Sequence, residues 1–128
     1  MATIFTKIIR GDIPSYKVAE DENYYAFLDI NPLAEGHTLV VPKRETDYIF
    51  DLDDERLGGM MVFAKKIAAR IREVTGCNRV AVVVLGLEVP HAHIHLIPIN
   101  KESDVDFHKP RLQPTPEEFS SLAEKLSL

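Results

Sequence analysis

Apolar and polar positions change their period several times along the chain, and each change marks an element. Ile4, Phe5, Ile8 and Ile9 form a short apolar-periodic stretch that ends at Gly11, with Pro14 soon after, which predicts one or two helical turns and a loop. Lys17 to Glu20 and Tyr24 to Ile30 read as strands of a hairpin around the polar Asp21-Glu22-Asn23, and Asn31-Pro32 breaks the second of them. His37 to Val41, closed by Pro42, predicts a third strand. From Asp53 the period becomes helical: Leu57, Met60, Met61, Ala64, Ile67, Ala68 and Ile71 share a face, with Asp53 as N-cap and Gly76 as the stop. Gly58-Gly59 weakens this long helix locally and suggests close packing against a neighbour.

Val80 to Leu85 is continuously apolar and β-branched, as a strand buried on both faces would be, and His91 to Ile99 alternates strictly as an adjacent strand. A last helix is expected from Thr115-Pro116-Glu117-Glu118, where Thr115 can cap, Pro116 suits the first position and Glu118 closes a capping box; Phe119, Leu122, Ala123 and Leu126 give it an apolar face. The proline-rich, mostly polar stretch from Lys101 to Pro116 reads as a surface loop. Hairpins around one long helix predict an α+β fold with a mainly antiparallel sheet.

At 128 residues the chain has room for one domain, covering residues 1–128 with its core over about 4–99 and a C-terminal loop and helix over 100–128. The net charge of −5 disfavours a general nucleic-acid-coating role, so a phosphate ligand needs a local pocket. Cys77 is the only cysteine, which excludes an internal disulfide and suits a reducing compartment. The segment from Met1 to Lys7 lacks the features of a secretory signal, and Val80 to Leu85 is too short to span lipid, so a cytoplasmic protein without membrane association is expected.

Three of the five histidines are His91, His93 and His95. On an extended strand their imidazoles share one face, leaving Ala92, Ile94 and Leu96 to the other. A structural role gains little from three such groups, which repel one another when charged. A metal site is limited by reach, since the outer two Cα atoms would lie roughly 13 Å apart on a straight strand. A row of imidazoles suits phosphoryl chemistry: the middle ring attacks phosphorus while its neighbours hydrogen-bond the non-bridging oxygens or fix the attacking tautomer.

His91-Ala92-His93-Ile94-His95-Leu96-Ile97 resembles the His-φ-His-φ-His-φ-φ signature of the histidine triad (HIT) nucleotide-binding proteins. The likeness extends to Ile4-Phe5-Thr6-Lys7-Ile8-Ile9, Ile13-Pro14, Ala26-Phe27-Leu28-Asp29-Ile30 with Pro32, and Gly36 to Lys43, in the family's order and spacing. The resemblance implies an α+β domain whose five-stranded antiparallel sheet continues across a homodimer. It also implies a hydrolase or nucleotidyltransferase acting on the α-phosphate of a purine nucleotide, such as an adenosine phosphoramidate, with a product such as AMP. On that likeness His93 is the nucleophile, His91 and His95 orient it and bind phosphate oxygens, and His37 is a fourth active-site histidine. Asp29 stands where the family accepts the ribose hydroxyls, and Phe5, Ile8, Phe27, Ile30 and Leu39 stand where it lines the base pocket.

Each position has a plainer reading beside it: the apolar five as ordinary core, Asp29 as a turn cap, and His37 and His108 as structural histidines. The chain departs from the family's usual Gly-Gln-Ser/Thr or Gly-Gln-Glu before the triad, carrying Gly86-Leu87-Glu88-Val89-Pro90. Leu87 cannot donate a hydrogen bond and ionised Glu88 repels phosphate, although the backbone N–H groups of Glu88 and Val89 can still serve. Zinc-bearing relatives have cysteines where this chain has Thr3 and Thr6 and a histidine at Glu45, so neither a structural zinc nor any other cofactor is expected. Two other readings stand beside the enzyme: a nucleotide-binding or interaction module with weak catalysis, and a metal-dependent hydrolase using His93 and His95 with an acidic partner.

Overall fold

A computed structural model describes residues 2–128; Met1, which the sequence reading included in the domain and the N-terminal segment, lies outside it. The elements run α1 (Ile4–Arg10), β1 (Lys17–Glu20), β2 (Tyr24–Leu28), β3 (Thr38–Pro42), α2 (Asp54–Thr75), β4 (Arg79–Val83), β5 (Ile94–Ile99) and α3 (Pro116–Leu126), with short 3₁₀ turns at Ile49–Asp51 and Glu102–Asp104. The helix ends follow local chemistry. The hydroxyl of Thr3 accepts the N–H of Thr6 to cap α1, the carboxylate of Asp53 accepts the N–H of Arg56 to cap α2, and Thr115 with Glu118 forms the expected capping box of α3. Gly11 and Gly76 close α1 and α2 in the left-handed conformation that glycine takes without steric cost.

The five strands form one sheet in the order β1-β2-β3-β5-β4, every neighbouring pair antiparallel. Alternation along the strands divides the side chains between two faces. One face carries Val18, Tyr24, Ala26, Leu28, Val40, Ile94 and Leu96, and α2 and α3 cover it with Met60, Phe63, Ala64, Ile67 and Ile71 and with Phe119, Leu122, Ala123 and Leu126. This is the main core. Its central side chains, among them Met60, Ile67, Ile71, Ile94 and Leu96, are fully buried, so truncating one to alanine would cost about 2–5 kcal/mol. The opposite face carries Tyr25, Phe27, Leu39 and Val41, which pack with Phe5 and Ile8 of α1.

The glycine pair in α2 resolves into two different residues. A Cβ on Gly59 would collide with the hydroxyl of Tyr24, which donates a hydrogen bond of 2.7 Å to the Arg56 carbonyl, whereas a Cβ on Gly58 would meet nothing. Close approach therefore explains Gly59 alone.

Several strands depart from the sequence expectation. The second strand stops at Leu28 rather than Ile30, because the Asp29 carboxylate accepts the N–H of Asn31 at 2.8 Å and turns the chain. The last strand begins at Ile94 rather than His91: the Ala92 N–H bonds the Thr46 carbonyl in a loop instead of joining a sheet ladder. The apolar run from Val80 supplies an edge strand, Arg79–Val83, rather than one buried on both faces, and Val82 (49% exposed), Val84 (40%) and Leu85 (51%) face outward in the chain alone.

Candidate active site

Strand register brings the site together on the face of the sheet that α1 shares. Phe27 on β2 pairs with Leu39 on β3, Leu39 pairs with His95 on β5, and His95 pairs with Val83 on β4, so these four lie in one row across the sheet. His37 and Asp29 extend the row next to it, joined by a 3.0 Å bond from the Asp29 N–H to the His37 carbonyl. His91 and His93 approach from the loop before β5. All four histidines are buried.

A neutral imidazole has one donor nitrogen and one acceptor, so a partner of fixed type sets its tautomer. His93 Nδ1 lies 2.8 Å from the His91 carbonyl oxygen, which can only accept. Nδ1 therefore carries the proton, and the Nε2 lone pair is left free. The Leu33 N–H donates to His37 Nδ1 at 3.0 Å, so the proton of His37 sits on Nε2 and is donated to His95 Nδ1 at 2.9 Å. His95 must then carry its proton on Nε2. The cluster thus offers a free lone pair on His93 and an uncommitted N–H on His95, set by backbone groups that cannot exchange roles.

Burial keeps His37 and His95 neutral. It is the main cause that lowers His37 to about 3 and His95 to about 4, with His95 and Arg111 adding to the first and His93 and Arg111 to the second. Burial also holds Asp29 above the usual carboxylate range, opposed by the Asn31 N–H and by Arg111. Asp29 Oδ2 lies 3.5 Å from His37 Nε2, but a neutral His37 makes this a polar contact rather than an ion pair.

The outer histidine differs from expectation. His91 Nε2 donates to the Pro42 carbonyl at 2.8 Å, and its Nδ1 accepts from the Thr3 hydroxyl at 2.8 Å. With both nitrogens spent inside the protein, the ring has no N–H for a phosphate oxygen, and the expected phosphate contact is corrected to a structural one. Through its carbonyl His91 still orients His93. Phe5 packs edge-on against both rings, with centroid distances of 5.7 Å to His91 and 5.0 Å to His93.

Phe5, Ile8, Phe27 and Leu39 form one buried apolar cluster beside the histidines, with Val89 packed against it. Ile30 is not part of that cluster; it is 66% exposed just beyond Asp29. Glu88 is exposed, and Leu87 before it is 91% exposed. His108 is exposed in the C-terminal segment, its N–H bonded to Asp106.

That segment also brings two residues to the site that sequence reading missed. Phe107 packs edge-on against His95 at 5.1 Å and His37 at 6.5 Å. Arg111 lies over the Phe107 ring at 5.4 Å and donates to the Asn31 and Phe107 carbonyls at 2.8 and 3.1 Å, which ties the segment to the turn after Asp29. The available signal was small: an aromatic residue in a polar loop with an arginine four positions later.

Two donor groups bear on metal binding. Ligand atoms of Asp29, His37 and His95 lie within 4.8 Å of one another. Binding there would require a lone pair on His37 Nε2 and would set the displaced Nδ1 proton against the Leu33 N–H, so the set fits a hydrogen-bond relay better than a cation. Thr3, Thr6, Glu45 and His91 form the second group; its two hydroxyls are poor ligands for zinc and are already engaged with one another, Glu45 and His91.

Comparison with known proteins places this geometry. The family model described as "HIT domain" matches residues 10–102. The adenosine 5′-monophosphoramidase of Schizosaccharomyces pombe is 35% identical over 133 residues, covering 99% of this chain and 97% of its own. The adenosine 5′-monophosphoramidase of Saccharomyces cerevisiae is 41% identical over 102 residues, covering 79% of this chain and 65% of its own. A Hit-like protein from Bartonella henselae superposes with a TM-score of 0.83 at 32% identity, covering 97% of this chain and 92% of that one. The chain belongs to the HIT family, and the five-stranded antiparallel sheet with its helices is the fold of those relatives.

Proposed function

We propose that the protein is a nucleotide hydrolase or nucleotidyltransferase that attacks the α-phosphate of a purine nucleotide, such as an adenosine phosphoramidate, through a covalent nucleotidyl-histidine at His93. The observation that carries this reading is the His93 tautomer, with Nδ1–H committed to the His91 carbonyl and the Nε2 lone pair free among buried neutral rings. The activity printed for the two yeast relatives supports the substrate class.

In the first step the Nε2 lone pair forms a bond to phosphorus as the bond to the leaving group breaks. In the second, water displaces His93, releasing the nucleotide and returning the ring to its starting tautomer. The N–H of His95, supplied by the relay from His37, donates to a non-bridging oxygen, and the Glu88 and Val89 backbone N–H groups serve the same charge. Asp29 accepts the ribose hydroxyls. The base lies against Phe5, Ile8, Phe27 and Leu39, with Ile30 beside the ribose. No metal is required, because the nucleophile needs no metal-activated water. The protein acts in the cytoplasm, consistent with its single buried Cys77.

A homodimer fits the exposed Val82, Val84 and Leu85 at the open β4 edge, since a second copy of that edge would pair its backbone and cover them. Sedimentation checks this, and a monomer at micromolar concentration would exclude it.

His93→Ala is expected to abolish turnover of adenosine 5′-phosphoramidate and the acid-quenched nucleotidyl adduct while AMP still binds. Persisting turnover would rule out the nucleophile. AMP binding without turnover in the unmodified protein would favour a nucleotide-binding module instead, for which the exposed Leu87-Glu88 pair is the specific observation.

A further inference from the structure

The loop that carries His91 and His93 has no sheet ladder to hold it, since β5 begins only at Ile94. The His91 carbonyl nevertheless sits 2.8 Å from His93 Nδ1, and the tautomer of His93 depends on that contact. Side chains of α1 do the anchoring. The Thr6 hydroxyl donates to Glu45 Oε1 at 2.7 Å, and the same oxygen accepts the Thr3 N–H at 2.9 Å. The single Thr3 hydroxyl proton has two acceptors in reach, Thr6 Oγ1 at 3.2 Å and His91 Nδ1 at 2.8 Å; the ring takes it by the shorter contact, since its Nε2–H is given to Pro42 and Nδ1 needs a donor, while the Thr3 oxygen accepts the Thr6 N–H at 3.1 Å. On the far side of the ring the Pro42 carbonyl accepts from Nε2. The ring is held at both nitrogens, one by Thr3 at the N-cap of α1 and one by Pro42 of β3, and Phe5 of that helix packs edge-on against it.

We infer that Thr3, oriented by Thr6 and Glu45, is a positioning residue that anchors the His91 ring and thereby holds the His91 carbonyl where it fixes the His93 tautomer. The inference deepens the proposed activity and rests on it for its kinetic consequence, but its structural consequence stands apart. Thr3 has two separable duties, since it caps α1 through its oxygen and anchors His91 through its proton. Valine at position 3 loses both, serine keeps both, and glycine, itself a favoured N-cap residue, weakens the cap little but has no proton to donate.

Histidine ¹⁵N NMR on the full chain reports ring tautomers directly, and steady-state turnover of adenosine 5′-phosphoramidate reports their effect. Thr3→Val is expected to mix the His93 tautomers and to lower kcat by about tenfold or more because the nucleophile is misoriented, and, with the cap of the helix that carries Phe5 and Ile8 also lost, to raise KM. Thr3→Ser should restore both readouts. Thr3→Gly should largely preserve thermal stability and KM yet reproduce the tautomer mixing and the kcat loss. The inference is overturned if Thr3→Val leaves the His93 ¹⁵N shifts unchanged, or if Thr3→Gly keeps the native tautomer and full kcat, which would assign Thr3 to helix capping alone. An unmodified protein inactive on phosphoramidate would remove the proposed substrate, while the NMR arm would still decide the role of Thr3.

Discussion

Each histidine in the site is read by a neighbour that can only donate or only accept. The Leu33 amide fixes His37, His37 fixes His95, and two carbonyls fix His93 and His91. Chemical function is thus assigned by backbone position rather than by the identity of the triad residues, which are chemically alike. If the N–H on His95 Nε2 is maintained by His37, then His37→Phe should let His95 place its proton on Nδ1 and lose its donor toward phosphate. Removing one donor to developing phosphate charge costs on the order of 10²-fold in kcat, so turnover should fall by about that factor with binding of AMP nearly unchanged. Tenfold weaker AMP binding with unchanged kcat would instead make His37 part of the nucleotide pocket. That three histidines gather at one place was legible from their spacing, although strand alternation accounts only for His95, since His91 and His93 lie in the loop before β5. The different fate of His91 was not, since Thr3 is 88 residues away in sequence and its hydroxyl is brought to the ring only by the packing of α1.

At the scale of elements, helices were the most legible, because caps and stops are written in adjacent residues: Asp53 and Gly76 bound α2, and Thr115 with Glu118 opens α3. Strand burial was less so. A run of branched apolar residues predicts burial without saying whether the cover comes from the same chain, and β4 lies at the sheet edge with part of that run uncovered. Phe107 and Arg111 were illegible for a related reason, as a loop's path over a site depends on its anchors, here the Asn31 and Pro32 carbonyls. The Gly58-Gly59 pair gives the sharpest elemental test. Gly58→Ala adds a methyl in open space and should stabilise the protein by about 0.8–1.0 kcal/mol through helix propensity. Gly59→Ala should destabilise it by about 1–3 kcal/mol, because the buried Tyr24 ring has little room to move its hydroxyl away. Chemical denaturation of both variants measures the difference, and equal shifts for the two would refute the packing account.

For the whole molecule, the site is a polar cluster set into the opposite face of the sheet from the main core, flanked by Phe5 from α1 and Phe107 from the C-terminal segment. Burying several histidines as neutral rings links folding to proton binding. Unfolded, each would titrate near 6.5; folded, His95 holds off its proton to about 4 and His37 to about 3, and burial lowers His91 as well. Between those limits the unfolded chain binds more protons, so their contribution to stability is complete above 6.5 and is lost as pH falls toward 4. Asp29 has the opposite sign: its folded pKa is raised above 3.8, so the folded state holds the extra proton and its contribution fades as pH rises through that range. Three rings outweigh one carboxylate, and the net expectation is a falling urea midpoint from about pH 7.5 to about pH 4.5. His95→Gln removes one of the depressed groups and should make the decline shallower, even where its stability at neutral pH is lower. A midpoint that stays level across this window, or a decline as steep in His95→Gln as in the unmodified chain, would mean that the rings are not held neutral by the fold.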